Sequence, residues 1–431
     1  MLKKLNLSKI SVLLYWLLFL VLAGLFFTND FGLVDIHKSS IITAVGIDCT
    51  EQEVAVTAEI AEPQPSQSGE NIKYTRVQGS GLTIADAMNE INSKTGFYPK
   101  LQFCKLILVG ENCIDNQLFR VLGCFYRKNY SELTALVALC KGKASDMLAK
   151  HSAVSDMTSE AIRQALSDEI EKSANANSVN LKDIAMAEFS HSGACFMPYV
   201  ETNKPGTSAE GGNGDSVGGE QGGEQSGGEQ GGSGGGEQGG SGGGESSGGA
   251  GSGGTKSGAN GGEEVEFTAH KTAYFSDGLY RGILDEKQSF ALAMLKSEIR
   301  LAVLPCDSDG VHYTLGLKDV KSGISLKIEN GTPKVTLSVS ASAQIQGARV
   351  KVEPADTMTD DRVDEKLLKS AEEELKKRID SLYTTIKEND SDVLELKDKL
   401  FKYENRYFEA FKDNIMKLSE VDLKVKIISV N

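Results

Sequence analysis

Five histidines, seven cysteines and a few carboxylate pairs are the side chains of this 431-residue chain that could carry chemistry, and their spacing decides how much. His37, His151, His191, His270 and His312 stand at least 40 residues apart, with no H-E-x-x-H and no carboxylate at ligand spacing, so no metal site is predicted. Cys49, Cys104, Cys113, Cys124, Cys140, Cys195 and Cys306 are odd in number, lack a C-x-x-C pair and mostly lie in apolar runs such as "LQFCKLILVG". They read as buried small hydrophobes rather than a disulfide framework or a zinc site, with a bridge from Cys104 or Cys124 to another of the set left open. Glu263-Glu264 and Asp360-Asp361 could share acid-base work, yet both sit in polar stretches where a solvated surface is the commoner role. A G-x-S-x-G at Gly231 to Gly235 and a G-x-G-x-x-G at Gly234, Gly236 and Gly239 lie in a glycine tract, without the strand before and helix after that either motif needs. No catalytic, cofactor-binding or metal residue is assigned.

One short stretch is better placed. "GSG" at Gly79 to Gly81 precedes a helix, and amides at a helix start attract anions. A tight strand-to-helix turn explains the same glycines and is the reading preferred here.

The elements that must position any site follow from composition and period. Sixty acidic against 46 basic residues give a net charge of -14. No Lys/Arg-rich stripe with interleaved aromatics is present, which excludes nucleic acid as an expected partner. From Val12 to Phe27 the chain is apolar, behind Lys3, Lys4 and Lys9 and ahead of Asp30 and Asp35, so the bulk of it is expected outside the cytoplasm. That run spans about 24 Å, short for a hydrocarbon core of about 30 Å, and its length leaves a cleavable signal and a retained anchor both open. Retention is favoured, with Val12, Trp16, Leu20 and Phe27 as anchor residues, because a cleavage site needs small residues one and three places before the cut and Leu22 takes the outer place beside Ala23-Gly24.

After the anchor, "SIITAVGID" and "EVAVTAEIAEP" read as a hairpin, the second strand carrying Val54, Val56, Ala58 and Ile60 on one face. "TIADAMNEINSKTG" is a helix with Thr83 as N-cap and Gly96 as stop. The strand "LQFCKLILVG", a helix over 117–126, the strand "LTALVALC" and the short helix "ASDMLAK" follow. A polar helical stretch over 155–190 leads to the strand "ACFMPYV", and "EFTAHKTAYF" is another strand. Between those two strands lie 57 residues from Gly206 to Gly262, 28 of them glycine and four apolar, which cannot bury enough surface to order themselves. Since both flanks read as strands, the tract is expected to be an overgrown hairpin loop inside one domain, closed at an entropic cost of about 3.6 kcal/mol. The last third offers "VHYTLGL", "GISLKIENG" and "KVTLSVSASAQIQ" as three strands, with an Asn330-Gly331 turn between the second and third. The chain's strongest helix pattern then runs from Asp364, with Leu367, Leu368, Ala371, Leu375, Ile379, Leu382 and Ile386 on one side. Its polar face reads as solvated, supported by four-apart pairs Glu373 to Lys377 and Glu374 to Arg378, more readily than as a docking face. A second helical stretch and the strand "VDLKVKIISV" close the chain.

Four spans result. They are an anchor (1–34), a mixed α/β domain (35–152), a middle domain (153–306) carrying the disordered insertion 206–262, and an α+β domain with long helices (307–431). The fold class is α+β, three mixed domains behind a membrane anchor.

"DIHKSSIITAVGID", "YTRVQGSGLTIADAMNEI", "KLQFCKLILVGE", "TALVALCKGKASDML", "FMPYV", "TAYFSDGLYRGIL" and "YFEAFKDNIMKLSEVDLKVKIISVN" stand in an order and spacing that resemble the C subunit of bacterial spore germinant receptors, the Ger(x)C or GerAC-like family. The resemblance covers nearly everything from Asp35 onward except the glycine tract. It implies a membrane-tethered, extracytoplasmic protein of the spore inner membrane, without catalysis or cofactor, working beside an integral-membrane A subunit and a transporter-like B subunit. The assembly senses nutrients and triggers germination; whether this subunit meets the nutrient itself or only through its partners is left open. Gly46 and Asp48 match the family's G-I-D strand end, Gly79 and Ala87 its glycine-then-helix element, and Gly110 and Glu111 its V-G-E strand end, all as fold-defining positions. Members commonly end the apolar run with a lipobox cysteine; here "VLAG" is followed by Leu25, so acylation there is excluded and an uncleaved anchor is expected. A free-standing exported protein that binds a small solute is the alternative function.

Overall fold

Alternation and capping place the elements, and the computed structural model describes residues 7–26, 39–66, 69–96, 98–127, 131–152, 154–155, 157–167, 174, 177–204, 264–296, 299–349 and 363–430. An N-terminal helix, α1 (Leu7–Phe26), is followed by β1 (Ser39–Cys49), β2 (Val54–Ser66) and β3 (Gly69–Gly81). Next come α2 (Ile84–Thr95), β4 (Tyr98–Lys100), β5 (Leu106–Gly110), α3 (Leu118–Arg127), β6 (Leu136–Cys140), α4 (Ala144–Ala149), β7 (His151–Ser152), α5 (Thr158–Ala165) and α6 (Leu181–Glu188). The chain continues through β8 (Ala194–Asn203), β9 (Glu264–Ser276), β10 (Leu279–Leu284), α7 (Glu286–Lys296), β11 (Leu301–Ser308), β12 (Val311–Glu329) and β13 (Thr332–Arg349). It closes with α8 (Glu365–Glu388), α9 (Leu396–Tyr403), α10 (Phe408–Phe411), α11 (Ile415–Leu418) and β14 (Glu420–Ser429).

The strands form two sheets. The first has the order β10-β9-β8-β6-β5-β1-β2-β3, with β4 on β1 and β7 on β9. Its centre, β1, β5, β6 and β8, is parallel, and antiparallel hairpins finish both sides. Val56, Ala58 and Ile60 face a core shared with α2, α3 and α6, while Ala44, Leu106 and Leu108 face a smaller one under α4 and α5. The second sheet is β11-β12-β13-β14, one face of which buries Leu317, Leu337, Val339 and Ile427 against α7, α8 and α9. Strands and helices are segregated in one half and interleaved in the other, a mixed α+β architecture.

Several expectations hold in detail. Thr83 closes a capping box with Asp86, and Gly96 ends α2 with φ +69, a left-handed conformation that glycine adopts without a Cβ clash. β8 and β9 pair antiparallel from Ala194–Ser276 to Asn203–Glu266, the hairpin expected around the glycine tract, which itself lies outside the described residues. Asn330 and Gly331 turn between β12 and β13 at φ +50 and +78. Leu367, Ala371, Leu375, Ile379, Leu382 and Ile386 are buried along α8, and the Glu374–Arg378 pair forms at 2.9 Å.

Other expectations are corrected. "VHYTLGL" and "GISLKIENG" are one strand, β12, not two: the polar "KDVKS" between them holds a bulge, with Asp319 at φ +52, after which pairing resumes. β5 begins only at Leu106, because Leu101–Phe103 form a 3-10 turn. β3, α7 and β11 were not foreseen, and the second C-terminal helical stretch is three short helices, α9, α10 and α11.

Candidate functional site

The carboxyl ends of the parallel strands β1, β5 and β6 are where chemistry is expected in an interleaved sheet. β5 leads to α3 on one face and β6 to α4 on the other, and ligands of open α/β sheets bind in the crevice such a divergence leaves. Here the chain fills it with its own carboxylates. Asp48, at the end of β1, accepts from the amides of Ala144 (2.7 Å) and Ser145 (2.9 Å), capping α4, whose N-cap Lys143 contributes no side-chain bond. Glu111, just past β5, accepts from the Gly142 amide (3.0 Å) and from the Tyr199 hydroxyl (2.9 Å). Gly110 must lack a Cβ, which would sit 2.3 Å from Asp48 Oδ1, and a Cβ on Gly46 would press at 3.1 Å on Ala144 and Leu148. Four of the six residues matched to the resembled family therefore meet in one place, while Gly79 and Ala87 meet in another: a Cβ on Gly79 would fall 2.2 Å from the Ala87 carbonyl.

A covalent clasp lies beside this crevice. Cys49 and Cys113 form a disulfide with their Cα atoms 4.9 Å apart, correcting the reading of the cysteines as buried small hydrophobes with Cys104 or Cys124 as the bridging candidates. The signal was present: Cys49 follows the "GID" end of β1 and Cys113 the "VGEN" end of β5, and those neighbouring strands run parallel. Four of the five remaining thiols are buried poor nucleophiles. Burial pushes Cys104 up to about 12 and Cys306 to about 11, and it raises Cys140 and Cys195 well above the ordinary thiol range.

The anion seat weighed at Gly79 to Gly81 is taken from within. The Ser80 amide donates to Glu90, which that bond above all holds below the usual carboxylate range, and the Thr83 amide donates to Asp86 at 3.1 Å. Among the described residues no group of His, Cys, Asp and Glu could hold a metal ion. Glu263, Asp360, Asp361 and both glycine-tract motifs lie outside the described residues.

A cleft of about 480 Å³ lies at the junction of the two halves, floored by Val179, Ile184, Cys195 and Phe196 and walled by Lys296 and Asp398. Asp398, from α9, accepts from the amides of His191 (3.0 Å) and Ser192 (3.1 Å), and the His191 ring stacks 4.2 Å from that of Phe401. Lys296 meets Glu395 at 2.5 Å across the same mouth. On α1, Val12, Trp16 and Leu20 are 57%, 67% and 73% exposed, and Phe27 lies outside the described residues. Among the described residues no helix is long and apolar enough to cross a membrane.

Two family models match the chain. The spore germination protein N-terminal domain matches residues 33–202, and the spore germination B3/GerAC-like C-terminal domain matches residues 270–429. The chain belongs to the GerAC-like family of germinant receptor C subunits. The matched spans of this family stop and resume on either side of the glycine tract, and they contain both the plugged crevice and the second sheet. A solved structure, the crystal structure of the GerBC protein, aligns with 90% of this chain and 97% of its own at 14% identity and a TM-score of 0.48. No curated protein matches.

Proposed function

We propose that this GerAC-like chain is a non-enzymatic, membrane-anchored subunit of a nutrient germinant receptor, needed for nutrient-triggered germination beside an integral-membrane A subunit and a transporter-like B subunit. The observation that carries the reading is the pair of family matches over residues 33–202 and 270–429. The plugged crevice supports the absence of catalysis: Asp48 and Glu111 spend their charge on the chain's own amides, where a ligand of an α/β enzyme would sit. The Cys49–Cys113 disulfide supports an extracytoplasmic position, because such bonds persist on the oxidising side of a membrane. The exposed apolar side chains of α1, Val12, Trp16 and Leu20 among them, support its use as the anchor. In this reading 1–34 anchors, 35–152, 153–306 and 307–431 are the exported domains, and Gly46, Asp48, Gly79, Ala87, Gly110 and Glu111 keep them folded.

The test is to purify the tagged full chain from membranes of sporulating cells and identify what accompanies it. A transporter-like membrane protein retained with it, together with loss of nutrient-triggered germination when the chain is deleted, is the expected result. Recovery in the soluble fraction with normal germination of the deletion strain refutes the reading. The junction cleft favours a second one, a free-standing binder of a small solute, since pockets of this volume between two halves commonly hold such ligands. Calorimetry of the purified chain with nutrient solutes, showing heat of binding without partners, would favour that second reading.

A further inference from the structure

The second sheet buries one face on α7, α8 and α9, the other is uncovered among the described residues, and strand register fixes what that outer face displays. Residues paired across strands share a face, so the row Lys321–Ser340–Lys426 lies beside Gly323–Ser338–Lys424, with Lys318–Ser342–Ile428 on one flank and Lys327–Lys334–Glu420 towards the other. Six lysines from three strands thus stand over a floor of serine and glycine; Lys318 donates to Gln344 at 2.9 Å, and the floor leaves room for the long side chains of the others to reach outward. Opposing them are Glu329, Asp422, Glu420 and Asp319, and at the far end of the face Asp307, which meets His312 at 2.7 Å. Lys334 pairs with Glu329 at 2.8 Å and Lys424 with Asp422 at 3.3 Å, exposed pairs that cost little to release. Lys321, Lys327 and Lys426 have no ion pair among the described residues. The face carries an excess of positive charge on a chain whose net charge is -14.

Its flank is apolar. Leu301 pairs with Lys318 and Val303 with Gly316, so both stand on the outer face at one edge, and Ile428 stands at the opposite edge of the Lys318 row; they are 36%, 38% and 52% exposed. Four strands at about 4.8 Å spacing make a face on the order of 15 to 20 Å wide, room for several headgroups side by side. Lysines flanked at one end by exposed aliphatics match a layer of negative headgroups over hydrocarbon: charge gives attraction and the aliphatics give shallow insertion. A soluble polyanion has no use for the apolar flank. We propose that the outer face of the β11–β14 sheet is a seat for the surface of an anionic phospholipid membrane.

The full chain is used for the test. With Trp16→Phe removing the only native tryptophan, Ser340→Trp puts a reporter in the middle of the face and Phe401→Trp puts one away from it. Each protein is reconstituted into phosphatidylcholine vesicles with and without phosphatidylglycerol, both carrying a lipid spin-labelled at the headgroup. The Ser340→Trp reporter is expected to be quenched more strongly than the Phe401→Trp reporter on the anionic vesicles, and to lose that quenching in high salt and in Lys321→Glu/Lys426→Glu. Each lysine removed singly should shift the docked-to-undocked ratio by about five-fold. Ser325→Trp, on the same face, replaces Ser340→Trp where the latter fails to fold. Quenching no stronger than at Phe401→Trp, or equal on neutral and anionic vesicles, overturns the proposal. So does protection from aqueous iodide without lipid quenching, which gives the face to a protein. Flotation with neutral vesicles reports on α1 separately, so failure of the anchor leaves quenching on anionic vesicles still to decide the face.

Discussion

The crevice at the ends of β1, β5 and β6 and the outer face of the β11–β14 sheet both hold charged groups and use them in opposite ways. In the crevice, Asp48 and Glu111 are turned inward and answered by backbone amides of the 142–145 segment. On the face, Lys321, Lys327 and Lys426 are turned outward and left unpaired among the described residues. A buried charge must find partners or the fold is lost, whereas an exposed charge is free to serve something outside the chain. The difference separates the part of this GerAC-like chain that holds its shape from the part with charge to offer.

Substitution breaks or sharpens that comparison. The largest effect is expected from the clasp: Cys49→Ser with Cys113→Ser opens a link across 64 residues and should cost about 4 kcal/mol in denaturant unfolding. Asp48→Ala leaves two largely buried amides unanswered and should cost about 3 kcal/mol by the same measurement. Asp392 asks whether burial, rather than which half a group lies in, decides the outcome. It sits in the second half, buried, accepting from the amides of Leu396 and Lys397, and burial raises its carboxyl to about 7 against an ordinary 3.8. A raised value means the folded state holds the proton more tightly. Its contribution is therefore full below the ordinary value and is lost as pH rises through about 7. Wild-type stability should accordingly fall relative to Asp392→Asn by about 1.3 kcal/mol per pH unit between pH 5 and 6 and by about half that slope at pH 7, read from unfolding midpoints across that range. The smallest effect belongs to the face, where Lys321→Gln with Lys426→Gln should leave stability within about 0.5 kcal/mol. A large loss there would make the face structural and erase the contrast.

Local signals in the sequence were enough for the elements whose stability is local. Thr83, Asp86 and Gly96 bracket α2, the seven-residue apolar stripe from Leu367 to Ile386 marks α8, and the strands flanking the glycine tract announce their hairpin because each alternates by itself. Elements whose partners are distant were missed or misread. β12 reads as two strands because a bulge looks like a turn until its partner β13 is in view, and α7, buried nearly all round, shows no periodic face to detect.

The same division holds for function. Sequence by itself determined the family signature, the apolar run of α1, the acidic balance and the poverty of histidine, all properties of residue type and local order. Only the tertiary structure decided that Gly46, Asp48, Gly110 and Glu111 meet at one crevice, that Cys49 rather than Cys104 or Cys124 bridges to Cys113, and that lysines from 318 to 426 share one face. Register between strands far apart in sequence sets those meetings, and register is fixed by which apolar residues reach the core together, a condition on the whole sheet that no single segment carries.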